Sequence, residues 1–291
     1  MTKQTTLVHN LDWDILIVID ACRYDYFAKY YREVFDNGKL IKVKSPSKWT
    51  FGWICDTFGN KVWKDIVCLK YWDGKFVLTD DEKTSSLLKI TDIIKKLKYQ
   101  KYAPNKFFGK NIRMPRANGH SFLYPDTATK VAKEKIKKYN NKKIIIFYKQ
   151  LHEPHVYWTK EEKKYDVEQK MWRNNKFAKI YRFFYINLIQ YFFSYEKIWT
   201  IKNKLGMQPY GPTGRIWLKY GWEGVRKGYI EDLKLLLKLI KELTETYPNK
   251  VFAVTSDHGE LLGEHGRYGH ETNKTYKEVA EVPWFVINDK N

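Results

Sequence analysis

Three unbroken apolar runs constrain this chain more than any other feature. Ile15 to Ile19 (ILIVI), Ile144 to Tyr148 (IIIFY) and Val251 to Val254 (VFAV) are rich in β-branched and aromatic residues and show no polar alternation. A strand with one wet face alternates, whereas a continuous apolar run is buried on both sides, as in a parallel sheet covered by helices. Segments with helical spacing lie between the runs: Cys22 to Phe35, Thr127 to Tyr139, and a stretch from Glu223 that places Ile230, Leu233, Leu236, Leu237 and Ile240 on one side. Leu40 to Val43, Val67 to Tyr71 and Val282 to Ile287 read as shorter strands. The expected fold is α/β, with a central, mostly parallel sheet flanked by helices.

Each long run delivers polar side chains where its strand should leave the sheet. Asp20 follows the first; His152 and His155 straddle Pro154 after the second; Asp257 and His258 follow the third, with Glu260, Glu264, His265 and His270 close behind. In open α/β sheets, ligands bind beyond the carboxyl ends of the strands. Taken singly, Asp20 is an ordinary helix cap and a loop histidine needs no ligand. Their convergence points to a divalent cation, because carboxylate and imidazole are the donors transition metals take. Gly259, Gly263 and Gly266 let the backbone turn tightly around such an ion. A further group comes from SPSKWTFGW, where Ser45, Ser47 and Thr50 offer hydroxyls around Pro46 near an expected helix start, and where Ser47 or Thr50 would ordinarily serve as a cap. Helix N-terminal N–H groups and the positive dipole end suit a phosphoryl or sulfuryl group. A cation held by Asp20, Asp257 and His258 would acidify the Thr50 hydroxyl and neutralise an anionic substrate.

Charge agrees with an anionic partner: the net charge is +20 and the isoelectric point about 9.5. Phosphate or sulfate esters, an anionic membrane surface and a glycan all fit, and nucleic acid is not favoured. Excess lysine also marks heat-adapted proteins. Cys22, Cys55 and Cys68 lack CxxC spacing, so no disulfide framework or zinc knuckle is expected. A cytoplasmic setting follows, peripheral to the membrane if the surface binds lipid. The polar N-terminus has no secretory apolar core, and no run approaches the roughly 20 apolar residues of a spanning helix. Residues 157–224 stand apart as aromatic and basic. They are expected to form a helical insertion that packs on the core or lies on a membrane or glycan. The organisation expected is one domain over 1–291, with 157–224 inserted in it.

The segments ILIVIDACRYD, SPSKWT, LHEPH and TSDHGELLGEHGRYGH, the last followed by VPWFV, together resemble the alkaline phosphatase superfamily, particularly its sulfatase-like branch. The likeness covers most of the chain outside the insertion. It implies Asp20, Thr50, Asp257 and His258 as ligands of a zinc or manganese ion and Thr50 as nucleophile. His155 and His270 would contact the transferring group or hold a second ion, with His152 and His265 as further candidates. The implied activity is a metal-dependent hydrolase or transferase of phosphate esters working through a covalent threonine intermediate. Sulfate-ester hydrolysis is the alternative within that chemistry. A non-catalytic basic binder of anionic lipid, glycan or nucleic acid is the alternative outside it. Three features depart from the sulfatase pattern. Ala21 stands where a second carboxylate is usual, and His270 stands near the place of a lysine. No C/S-x-P-x-R motif aligns on Pro46 or Thr50, which disfavours a formylglycine enzyme.

Overall fold

The computed structural model describes residues 1–10, 12–58, 66–72, 75–78, 116–117, 120–121, 124–153, 155–158, 189, 192–206, 211–270 and 274–288. Its centre is an eight-stranded sheet. In chain order the strands are β1 (Thr2–Lys3), β2 (Ile15–Ile19), β3 (Lys39–Lys44), β4 (Ile66–Trp72), β5 (Lys75–Leu78), β6 (Lys143–Tyr148), β7 (Phe252–Ser256) and β8 (Glu281–Ile287). The spatial order is β1-β3-β8-β7-β2-β6-β4-β5. The middle of the sheet, β7-β2-β6-β4, is parallel throughout. β8 runs antiparallel to both of its neighbours, β7 and β3. Two reversals restore direction, so β3 points the same way as β7. The expected α/β fold with a mostly parallel sheet is the fold observed.

Burial on both faces is the reason the three long runs carry no polar alternation. Ile15, Ile17, Ile19, Ile144, Ile146, Phe252 and Val254 point into one apolar layer, and Leu16, Val18, Ile145, Phe147 and Ala253 into the other. The first layer is covered by α2 (Tyr24–Tyr30), α4 (Pro125–Lys138) and α6 (Gly211–Thr246), through Phe27, Ala132, Ile136, Tyr229, Leu233, Leu236, Leu237 and Ile240. The second is covered by α1 (Gln4–Asn10) and α3 (Thr50–Phe58), through Val8, Trp53 and Phe58. α6 begins upstream of the expected helix start at Glu223 and is broken once, at Gly221, whose φ of 63° and ψ of −166° no helix interior adopts. α5 (Tyr195–Lys204) begins at Ser194, whose hydroxyl accepts a hydrogen bond from the Lys197 N–H. It packs through Trp199 against Trp217 and Trp222 of α6. Residues 159–188 of the expected insertion lie outside the described residues.

The N-terminus adds an element that the sequence did not suggest. β1 pairs with the end of β3, and α1 then buries Gln4 completely. The Gln4 amide donates to Thr255 Oγ1 and to the Ser256 carbonyl, both at 2.6 Å, and accepts from Trp53 Nε1 at 2.7 Å. A buried amide is tolerated because those partners satisfy it.

Truncating the face that covers the sheet should show how much this layer contributes. Leu236→Ala is expected to lower the unfolding free energy by about 2–5 kcal/mol. The exposed Ile201→Ala should stay within about 0.5 kcal/mol, both read from urea denaturation midpoints.

Candidate metal centre

The parallel register of β7, β2 and β6 brings three strand ends together. Ile19 sits opposite both Ser256 and Tyr148, so the residues that follow leave the sheet side by side. The turn after β2 is held in an unusual shape. Ala21 has φ 63°, a left-handed conformation that costs a residue with a Cβ about 1–2 kcal/mol. Its N–H donates to Asp257 Oδ1 at 3.2 Å, and the Cys22 N–H donates to Ser256 Oγ at 2.7 Å. Tyr229 Oη donates to the Ala21 carbonyl at 2.8 Å and accepts from the Arg23 N–H at 2.9 Å. Buried Arg23 bridges Asp25 and Glu264, each at 2.7 Å, and reaches the Glu260 carbonyl at 3.3 Å. Burial would push the Glu264 carboxyl up, but the Arg23 guanidinium beside it holds it below the usual range. Gly259 passes so close to the chain ahead of β8 that a Cβ there would overlap the Glu278 carbonyl oxygen.

Asp20, Asp257 and His258 meet within this frame, with one ligand atom from each inside 4.8 Å of the others. His258 Nε2 is 3.6 Å from an oxygen of Asp20 and 3.6 Å from Asp257 Oδ2. That is too long for a hydrogen bond. It is close to the spacing of roughly 3.4 Å between donors that share a tetrahedral zinc at ordinary bond lengths. The tautomer also fits: His258 Nδ1 is 2.9 Å from the Gly259 carbonyl, which only accepts, so the hydrogen is on Nδ1 and the lone pair on Nε2. Asp257 Oδ1 accepts from the Ala21 and His258 N–H groups, while buried Asp257 Oδ2 and His258 Nε2 have no hydrogen-bond partner among the described residues. Two buried polar atoms left without partners and aimed at one point are costly unless a cation joins them.

A second group adjoins the first. His152, Glu260 and His270 bring ligand atoms inside the same 4.8 Å limit, and His270 Nδ1 is 3.3 Å from Glu260 Oε1. The His270 ring lies 4.1 Å from the His258 ring and 5.1 Å from that of His152, centroid to centroid. Burial raises the Glu260 carboxyl to about 8, further supported by Glu153 and opposed by His258, His155 and Tyr268. Burial likewise pushes the His152 imidazole well below its ordinary value, with His270, His258 and Lys149 adding to the effect. A neutral imidazole is the form that binds metal. Glu260 was visible in the sequence only as one of several acidic residues near Asp257; its complete burial is what marks it.

The remaining candidates fall in different places. β3 runs in the direction of β7 and so leaves the sheet on the same edge, where the Ser45 hydroxyl contacts the Asp257 carbonyl; Thr50 opens α3 further along the chain from there. His155 is 1% exposed, with Nδ1 3.2 Å from Asp232 Oδ2. Asp232 also accepts from the Val156 and Tyr157 N–H groups at 2.8 and 2.9 Å. The sequence reading missed Asp232. His265 is exposed, stacks on Tyr276 at 4.5 Å and, among the described residues, belongs to neither group.

No protein-family model matches the sequence, and no curated protein matches it. Solved structures resemble it in path. The periplasmic domain of a phosphoethanolamine transferase from Campylobacter jejuni aligns with a TM-score of 0.46 at 14% identity, covering 94% of this chain and 78% of that one. The corresponding Escherichia coli domain in complex with zinc gives 0.42 at 12%, covering 95% and 72%. A phosphonate monoester hydrolase from Silicibacter pomeroyi gives 0.37 at 12%, covering 94% and 67%.

Metal should register as stability. Zinc at about 100 times its dissociation constant is expected to add about 2.7 kcal/mol to unfolding. Asp257→Asn should abolish that gain, as followed by thermal melts with and without chelator. A wild-type melt indifferent to zinc and manganese would remove the assignment.

Proposed function

We propose that the chain is a divalent-metal-dependent phosphoester hydrolase or transferase of the alkaline phosphatase superfamily, with Thr50 as its nucleophile. The observation that carries this reading is the meeting of Asp20, Asp257 and His258 on the sheet edge from which β3 leads towards α3. Two of their buried ligand atoms, Asp257 Oδ2 and His258 Nε2, have no hydrogen-bond partner among the described residues. When bound, the cation would supply positive charge for the phosphoryl oxygens and favour ionised Thr50. Two carboxylates with an imidazole suit zinc or manganese, and His152, Glu260 and His270 would hold a second ion. The N-terminal end of α3, with its helix N–H groups and positive dipole end, suits a phosphoryl oxygen. Thr50 Oγ attacks phosphorus, the ester oxygen leaves with a proton from His155, or from His270 where it holds no second ion, and water or another hydroxyl then takes the phosphoryl group from Thr50. Sulfate esters are the alternative substrates of the same arrangement. The domain organisation belongs to this reading too: one unit over 1–291 with 157–224 inserted in it. So does a reducing cytoplasmic setting, which the free Cys22, Cys55 and Cys68 support.

One observation favours a second reading in which the protein also attaches to anionic lipid. Phe192 is 75%, Leu205 67% and Ile201 51% exposed around α5, beside exposed Lys197 and Lys204. No helix among the described residues is long and apolar enough to cross a membrane. An amphipathic segment with basic and apolar side chains on its outer side suits a membrane surface.

Two experiments separate the readings. Zinc- or manganese-loaded protein should hydrolyse an aryl phosphate, and Thr50→Ala should lower turnover by at least about 1,000-fold without loss of fold; undiminished turnover would disqualify Thr50. For lipid, Ile201→Ser/Leu205→Ser should weaken co-sedimentation with phosphatidylglycerol vesicles at least about tenfold. Equal sedimentation of variant and wild type would discard the surface.

A further inference from the structure

Asp232 is out of character with its helix. Its near neighbours on the buried side of α6 are Tyr229, Leu233, Leu236 and Leu237, and it is itself 2% exposed. A carboxylate in such surroundings is costly unless charge or hydrogen bonds compensate it. The bonds it makes go to a single loop: the Val156 and Tyr157 N–H groups and His155 Nδ1. Capping the short 3-10 turn Val156–Trp158 accounts for the first two. It does not account for the imidazole.

The carboxylate only accepts, so the hydrogen of the neutral His155 ring is on Nδ1. That leaves Nε2 with its lone pair, buried and without a hydrogen-bond partner among the described residues. His155 is near enough to Glu260 and His152 to influence the charge of each. The opposite nitrogen of the ring is thus the one left for a ligand of the centre.

We propose that Asp232 is the positioning residue for His155: it fixes tautomer and ring angle so that Nε2 handles the proton of the departing and attacking oxygens. This rests on the phosphoester reading above. Thr50 enters as an alkoxide and forms its bond to phosphorus while the ester P–O bond breaks, and the departing oxygen takes a proton from Nε2 of the doubly protonated ring. In the second half, Nε2 takes a proton from the water or hydroxyl that attacks phospho-Thr50, and Thr50 leaves as the alkoxide it began as. Nδ1 keeps its hydrogen on Asp232 throughout, and the protons balance over the cycle. A carboxylate that orients an imidazole in this way commonly changes activity without contacting the substrate.

The test combines kinetics with a spectroscopic signature, on zinc-loaded full-length protein. Asp232→Asn should lower kcat roughly 10- to 100-fold for an alkyl phosphate, with KM little changed. The loss should be smaller for p-nitrophenyl phosphate, whose departing oxygen needs no proton. His155→Ala should show the same leaving-group pattern, and the double variant should be no slower than His155→Ala alone. In the wild type, 15N NMR should show the neutral His155 ring protonated at Nδ1, a measurement that needs no variant to fold. Equal losses for both substrates, losses that multiply in the double variant, or a ring protonated at Nε2 would each overturn the proposal and leave Asp232 a cap. Wild-type rates in Asp232→Asn, alongside an inactive Thr50→Ala, would overturn it while sparing the phosphoester reading.

Discussion

The candidate site depends on three neighbouring strands running the same way. β7, β2 and β6 are paired in parallel register, so Asp257 with His258, Asp20, and the loop carrying His152 and His155 all emerge on one edge. Reversing one of these strands would put its side chains at the far edge of the sheet. The unbroken apolar composition of the strands and the location of the chemistry are therefore two results of one arrangement. Burial on both faces needs helical crossovers, crossovers keep the strands parallel, and parallel strands gather their loops.

That edge is held by interactions which, taken alone, are unfavourable. Ala21 occupies a left-handed conformation, Asp257 is fully buried, and Arg23 brings a guanidinium inside. Each is offset by the next: Asp257 Oδ1 accepts the Ala21 N–H, Tyr229 ties Ala21 to Arg23, and Arg23 fastens Glu264 and the Glu260 carbonyl. Local strain of this kind persists where the surroundings over-determine it, and such places are often functional. Among the described residues, the same loops leave Asp257 Oδ2, His258 Nε2 and His155 Nε2 without a hydrogen-bond partner. Their clustering at one end of a well-packed sheet distinguishes a ligand site from loose packing.

Much of this was legible in the sequence because it is carried by local patterns. ILIVI and IIIFY declare two-sided burial without help from the rest of the chain, and the polar residues directly after them mark where strands end. What could not be read depends on distant partners. Gln4 is buried because Thr255, Ser256 and Trp53 receive it, and nothing in a polar N-terminus announces them. Asp232 sits at a helical spacing from Tyr229, Leu233 and Leu236 that reads as core. The signal available was a lone carboxylate on an apolar stripe, but its meaning came only from a loop some 75 residues away. Glu260 likewise stood among acidic neighbours, and only folding separates it, buried, from Glu264, which is turned to Arg23.

The loop holding His152 and His155 is fastened to α6 at two points. Glu153 accepts from the Thr213 hydroxyl at 2.6 Å near the start of the helix, and Asp232 grips residues 155–157 further along. Gly221 lies between those anchorages. The two histidines thus ride on separate arms of a jointed lever, and any flexing at the joint must be absorbed in the short backbone span between them. Through that linkage, mechanical load on the long helix would translate into the spacing of two imidazoles.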